Sequence, residues 1–380
     1  MAKRVLVSDP LSQQGIEVLE QAGLDVDVKT GLCEDELAAI IGEYEGLVIR
    51  SQTQVTARVI AAAKKLKVIG RAGVGVDNVD LEAATEHGIV VLNAPSGNTI
   101  STAEHTMAML LALARNIPQA HLSMQEGRWE RKKYTGVELN NKVLGIIGLG
   151  RVGSEVAVRA HAFGMKILAY DPYLAEERAE ELGIRLANID EILETSDFIT
   201  VHTPLTPKTR NLIGKAEFAR MKDQVRIVNC ARGGIIDYEA LAQAVKEGKV
   251  AGAAIDVYEQ EPPGDLPLRG LPQVILTPHL GASTEEAQIN VAIDVARELV
   301  RALEGKTFKN AVNMTPLREE LLSQLEPYLD LSKKLGSMAA QLSRGGIASV
   351  EVTYSGELAE LEIAPLTTAL LQGILSLPYG

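Results

Sequence analysis

Cysteine is almost absent from this 380-residue chain, whose only two, Cys33 and Cys230, lie far apart with no CxxC spacing. That excludes a disulfide framework and a thiolate metal site, so no metal is expected, and it fits a reducing cytoplasm. Positive charge is scarce as well: 38 Lys and Arg face 50 Asp and Glu, for a formal net charge of -12. Phosphate backbones and anionic membranes need a concentrated positive field, so neither is an expected partner and any basic site must be local. Long apolar runs are missing too. The start "MAKRVLVSDP" reaches Ser8 and Asp9 after only three apolar residues, too few for a signal peptide, and no run approaches a membrane span. No repeat of fixed short period and no low-complexity tract occurs. What remains, with 46% hydrophobic residues, is the composition of a soluble globular protein long enough for two or three domains with separate cores.

Over the first hundred residues, short β-branched runs ("RVLVSD", "DVDVK", "LVIR", "KVIGRAG", "IVVLNAP") alternate with helical stretches such as "GIEVLEQAG" and "EDELAAIIGEYEG". This alternation is the pattern of βαβ units around a parallel sheet. It is interrupted by one long helical pattern over 101–124, broken at Pro118, and restarts at "KVLGIIG" to run through "KILAYD", "DFITVH", "VRIVNCARGG", "AGAAIDVYE" and "VILTPH". Two α/β domains follow. The helix read from "STEEAQINVAIDVARELVRALEG" lines up Ala292, Val295, Ala296, Leu299, Val300 and Leu303 on one stripe, able to return the chain to the first domain, so that two long helices bridge a cleft.

The restart carries Gly148, Gly150 and Gly153 as GxGxxG between a strand and a helix. Glycine permits a tight turn and close backbone approach to a pyrophosphate, and the helix N-terminus favours its charge. Alone the pattern is weak, because glycines also simply end strands. Asp171 strengthens it, closing the next strand where a carboxylate accepts hydrogen bonds from an adenosine ribose and repels a 2′-phosphate. A turn cap before Pro172 is the plainer reading of Asp171. NAD rather than NADP is the expected cofactor.

Further strand ends deliver Thr203 and Pro204, then Arg232, then Asp256 and Glu261, and finally His279 within "LTPHLGAS". Each has a dull alternative: glycines after Arg232 suit a turn, Glu261 before two prolines suits a solvated loop, and a lone loop histidine suits the surface or a cap. Open parallel sheets bind ligands at this edge, and an arginine, a glutamate and a histidine there would be a clamp, a supporting carboxylate and a proton carrier.

The ordered set "GLGRVG", "VNCARGGIID", "YEQEPP" and "TPHLGAS", with "RAGVGVDNVD" upstream, resembles the D-isomer-specific 2-hydroxyacid dehydrogenase family over about residues 3–313. The resemblance implies two Rossmann-like doubly wound domains with a cleft between them: a substrate domain of residues 1–97 and 284–307, and an NAD domain of 98–283. It implies that Arg232 holds the substrate carboxylate or carbonyl, His279 carries the hydroxyl proton and Glu261 supports it. Cofactor contacts are implied at Gly148, Gly150, Arg151, Val152, Gly153, Asp171, Thr203, Pro204, Cys230, Ala231, Asp256, Gly281 and Ala282. The likeness is strongest to members that oxidise 3-phospho-D-glycerate to 3-phosphohydroxypyruvate, the first step of L-serine biosynthesis.

Substrate choice is expected from the first domain. Backbone at Val74 and Gly75 could form a nest for a carboxylate, although relatives often carry a threonine where Val74 stands. Arg50 and Arg71, read as ending adjacent strands, suit a phosphate by resemblance, or simply snorkel at strand ends. The basic cluster Arg128, Arg131, Lys132 and Lys133 is either a solvated helix end or, as in relatives, a segment reaching a neighbouring subunit, with a homodimer or homotetramer expected. Alternatives are a hydroxypyruvate, glyoxylate or D-lactate reductase of the same family, or a non-enzymatic NAD sensor like the corepressors of this fold, which turnover with NADH and a 2-keto acid separates. Residues 308–380 are expected to form a partial α+β segment, with "IASVEVTYSGEL" a strand and "LTTALLQGILSLPYG" an apolar helix, lacking its continuation, an ACT domain and hence serine inhibition.

Overall fold

Strands of five residues or fewer build the first sheet of this computed structural model, which describes residues 2–314, 319–343, 347–360 and 363–376. They are β1 (Arg4–Val7), β2 (Asp25–Val28), β3 (Gly46–Ile49), β4 (Val68–Arg71) and β5 (Val90–Asn93). All pair in parallel, in the order β2-β1-β3-β4-β5. The first half thus has the 2-1-3-4-5 variant of the doubly wound sheet. Central strands covered by helices on both faces must be apolar throughout rather than alternating, and every residue of β3 is buried.

The second sheet contains β6 (Val143–Ile147), β7 (Lys166–Tyr170), β8 (Arg185–Leu186), β9 (Phe198–Val201), β10 (Val225–Asn229), β11 (Val250–Ile255) and β12 (Val274–Leu276). Its order is β12-β11-β10-β9-β6-β7-β8, again parallel. The order reverses beside β6, which puts the topological switch point, where such sheets bind ligands, directly after Ile147. β8 is an edge strand of two residues that no alternation in the sequence announces.

The chain divides into two units. One comprises Met1–Arg71, Gly75–Asn93 and Val295–Gly380; the other comprises Ala72–Val74 and Ala94–Asp294. The Glu285–Leu303 helix passes from the second to the first, and Val295 and Leu299 on its apolar stripe press on the first sheet so closely that only glycine fits at Gly70.

Two local expectations are corrected. The helical pattern over 101–124 is two helices, Thr99–Arg115 and Ile117–Gln125, and the break falls at Asn116 with φ 54° and ψ 36°, not at Pro118. Proline is tolerated in a helix's first turn, where its missing N–H has no intrahelical partner, whereas asparagine is one of the few residues at ease in the left-handed region. The strand expected over 347–358 does not form: residues 347–355 belong to no element and Gly356–Glu360 is a 3-10 helix. A strand needs a partner ladder, and no described neighbour offers an edge there. The Glu319–Leu342 and Ala364–Leu375 helices pack on each other instead. Gly336 and Gly373 allow it, since a Cβ at either would stand 2.0 Å from a carbonyl oxygen of the other helix. Of the expected C-terminal helix, residues 377–380 lie outside the described residues. Among the described residues no helix is long and apolar enough to cross a membrane.

Candidate active site

The glycine loop begins where β6 ends. Gly148 has φ 98°, and a Cβ there would meet the His202 carbonyl oxygen at 2.7 Å, so the position demands glycine. A Cβ on Gly153 would sit 2.1 Å from the Gly148 carbonyl oxygen, so its absence lets the Arg151–Ala162 helix lie against the strand end. Gly150 differs. Nothing lies within 4 Å of its missing side chain, it is the N-cap of that helix, and no side chain caps the helix, so the first-turn N–H groups at Arg151 and Val152 have no capping side chain. Asp171, one residue past β7, accepts from the Leu149 N–H at 2.8 Å and the Tyr173 N–H at 2.9 Å, so its negative charge rests over this loop. Thr203 follows β9, and its buried Oγ1 has no hydrogen-bond partner. The Pro204 carbonyl accepts from Thr209. An open helix N-terminus, an orphaned hydroxyl and a carboxylate at the end of β7 fit the pyrophosphate, the bound base and the ribose of a dinucleotide.

After β10 the chain turns through Cys230, Ala231 and Arg232, held by a residue that the motifs do not single out. Asn229, fully buried, accepts from the Ala231 N–H at 3.0 Å and donates to the Arg232 carbonyl at 2.9 Å. An asparagine directly after the apolar Ile227 and Val228 was the available signal, because a buried amide must satisfy both ends. Gly233 is also required: a Cβ would lie 2.0 Å from the Tyr258 carbonyl carbon. Cys230 is buried, and that burial pushes its thiol well above the usual range, so it is inert as a nucleophile.

A close pairing stands past β11 and β12. His279 Nδ1 lies 2.6 Å from Glu261 Oε2, while Glu261 Oε1 accepts from the Tyr258 N–H at 3.1 Å. Burial alone would raise the Glu261 carboxyl, but the hydrogen bond and charge of His279 and the Tyr258 N–H outweigh it and hold the group below the ordinary carboxylate range. His279 has φ 55°, an uncommon conformation for a residue with a side chain. Asp256 is fully buried and already engaged: it accepts from the Leu280 N–H at 2.7 Å, the Gly281 N–H at 2.9 Å and Thr277 Oγ1 at 2.6 Å, and His105 Nε2 lies 3.2 Å away. Gly281 and Ala282 complete this loop. Arg232, Glu261 and His279 therefore all rise from the carboxyl ends of β10, β11 and β12, three neighbours in one sheet.

In the other unit, Ile49 of β3 pairs with Arg71 of β4, so Arg71 and the next residue after β3, Arg50, stand at adjacent strand ends. The Arg50 backbone is pinned, its N–H donating to Asp9 at 2.6 Å and its carbonyl accepting from Asn78 at 2.8 Å. Val74 and Gly75 lie in the loop after β4, beside Gly73 with φ 154°. Within the basic cluster, Arg128 pairs with Glu126 and Glu130, and Lys133 with Glu130.

Residues 107–281 match the model of the D-isomer specific 2-hydroxyacid dehydrogenase NAD binding domain, and residues 324–378 match that of the D-3-phosphoglycerate dehydrogenase intervening domain. The D-3-phosphoglycerate dehydrogenase of Archaeoglobus fulgidus is 52% identical over 98% of this chain and 71% of its own length. That of a Synechocystis species is 51% identical over 99% and 68%. A crystal structure of a Thermus thermophilus protein superposes with a TM-score of 0.74 at 36% identity, covering 81% of this chain and 99% of its own. With half its residues shared along nearly its whole length and both domain models matched, the chain belongs to the D-isomer specific 2-hydroxyacid dehydrogenases, on their D-3-phosphoglycerate dehydrogenase branch.

Proposed function

We propose that the chain catalyses the reversible oxidation of 3-phospho-D-glycerate to 3-phosphohydroxypyruvate with NAD, the reaction that opens L-serine biosynthesis. The observation that carries the chemistry is the 2.6 Å His279–Glu261 pair at the same sheet edge as the open glycine loop. Bound NAD supplies the hydride acceptor. His279 takes the hydroxyl proton from substrate C2 during oxidation and returns it during reduction, while Glu261 stabilises the imidazolium form. Arg232 orients the substrate carboxylate and opposes the negative charge that develops on the reacting oxygen. The first-turn N–H groups at Arg151 and Val152 hold the pyrophosphate, Asp171 the adenosine ribose, and Thr203, Pro204, Cys230, Ala231, Gly281 and Ala282 line the remaining cofactor surface; Asp256, expected there from the sequence, is fully buried and taken up by the Leu280 and Gly281 N–H groups, so it holds the loop rather than the cofactor.

Arg50 and Arg71 are assigned to the substrate phosphate and the backbone at Val74 and Gly75 to its carboxylate. Support comes from their adjacent strand ends and from the match to the D-3-phosphoglycerate dehydrogenase intervening domain, a segment that favours this substrate over hydroxypyruvate, glyoxylate or lactate. The substrate domain is taken as residues 1–97 with 284–307, the NAD domain as 98–283, and 308–380 as part of an intervening domain. We place the enzyme in the cytoplasm, where two separated free cysteines stay reduced. Self-association into a dimer or tetramer is assigned to the segment 117–133, where Ile117, Leu122, Met124 and Trp129 are exposed. The test is one panel of NADH oxidation with phosphohydroxypyruvate, hydroxypyruvate, pyruvate and glyoxylate, beside light scattering. The highest kcat/KM is expected for phosphohydroxypyruvate; a higher value for any other acid overturns the assignment.

A further inference from the structure

We infer that His105, with Ser101 and Thr102 on the same face of the Thr99–Arg115 helix, is the positioning device for the loop 277–281 that presents His279. The inference rests on the reading of His279 as the proton carrier. A left-handed backbone at a residue with a side chain is unfavourable and persists only where its surroundings enforce it. At His279, with φ 55°, the enforcing groups are visible on both sides. Thr277, two residues before, and Leu280 and Gly281, just after, all donate to the single Asp256 carboxylate. The carboxylate is itself fully buried and stays ionised only if donors surround it. His105 Nε2, 3.2 Å from Asp256 Oδ1, is the side chain that approaches it from the helix.

The same helix grips the loop a second time. Ser101 Oγ donates to the Gly281 carbonyl at 2.8 Å and Thr102 Oγ1 at 3.2 Å. Residues 101 and 105 are one turn apart and share a face, so one helical surface holds the loop at a carbonyl and, through Asp256, at two N–H groups. Burial alone would raise the Asp256 carboxyl, but the hydrogen bonds from His105, Thr277 and Leu280 hold it below the ordinary range, so the clamp stays charged near neutral pH. Cys230 joins His105 and Asp256 in one cluster of ligand atoms within 4.8 Å of one another, but a cation there would compete with the loop N–H groups for oxygens they already occupy.

The experiment measures steady-state reduction of 3-phosphohydroxypyruvate by the full chain carrying His279→Ala, His105→Leu, both together, or His105→Gln. His105→Leu should lower kcat by about tenfold or more, the scale of a small misplacement of a reacting group, with KM little changed. His105→Gln, which keeps an N–H donor, should recover most of that loss. On the His279→Ala background, His105→Leu should remove no further rate, because there is no imidazole left to position; a residue needed only for folding would cost the same fraction on both backgrounds. Wild-type kcat in His105→Leu, equal fractional losses on both backgrounds, or a glutamine no better than leucine overturns this inference alone. Near wild-type turnover by His279→Ala removes the underlying reading and the inference with it. If His105→Leu does not fold, the Ser101→Ala, Thr102→Val pair removes the other grip and is read by the same comparison of backgrounds.

Discussion

Glu261 Oε2 stands 2.6 Å from His279 Nδ1, and that distance decides which imidazole nitrogen can do chemistry. An ionised carboxylate only accepts hydrogen bonds, so Nδ1 carries its proton toward Glu261 and Nε2 is the atom left for the proton exchange proposed for this residue. Nothing among the described residues occupies Nε2. His279→Ala should therefore reduce kcat by about a hundredfold or more, the usual size of a lost general acid–base group, with the NADH dissociation constant nearly unchanged. Stopped-flow turnover beside fluorescence titration of NADH separates the two, and turnover close to wild type would remove His279 from the mechanism.

The Asp171 carboxylate bonds to the Leu149 N–H inside the glycine loop, so its charge sits beside the helix N-terminus assigned to the pyrophosphate. A 2′-phosphate placed there meets a carboxylate. We expect a strong preference for NADH over NADPH in kcat/KM, and Asp171→Ala should narrow the gap from both sides by weakening the ribose contact and removing the repulsion. Equal efficiencies with the two cofactors in the unaltered protein would contradict this.

Arg71 lies opposite Ile49 in the β3–β4 register. Arg71→Ala should damage kcat/KM for phosphohydroxypyruvate far more than for hydroxypyruvate, since only the first offers a phosphate to a guanidinium. Parallel losses on both substrates would make Arg71 a structural residue of the strand end.

Much of this site is legible in the sequence because its signals are local. A glycine that must take φ 98° at Gly148, or that a neighbouring backbone crowds at Gly153, leaves its mark at fixed spacing after a strand. Arg232, Glu261 and His279 could be gathered at one edge because parallel strands all end on the same side. What could not be read is the set of groups joined only through space. His105 and Asp256 meet across most of a domain, and in the sequence His105 is one of several polar residues in the first half of its helix, beside Glu104 and Thr106. Asn229 is the last residue of β10, and its two hydrogen bonds to the Arg232 turn exist only once that turn is folded. The tail failed for the opposite reason: alternation over 347–358 satisfied a strand's pattern, but pairing is a property of neighbours, and the described neighbours are helices.

His202, directly after β9, supplies a test by pH. Burial pushes its imidazole down to about 4, and its Nε2 lies 3.0 Å from Thr200 Oγ1, so the folded protein holds it neutral. In the unfolded chain the same group takes a proton near pH 6.5. The unfolded state thus binds more protons between these two values, and stability falls as pH drops from about 6.5 toward 4, being complete above that window. At pH 5 the loss from this one residue is about 2 kcal/mol relative to pH 7.5, on the basis of the two pKa values. His202→Gln cannot protonate. Its denaturant-unfolding free energy, measured at pH 7.5 and 5, should decline less between the two than that of the unaltered protein by roughly this amount. Identical declines would mean that His202 protonates equally in both states, and its burial would then carry no pH dependence.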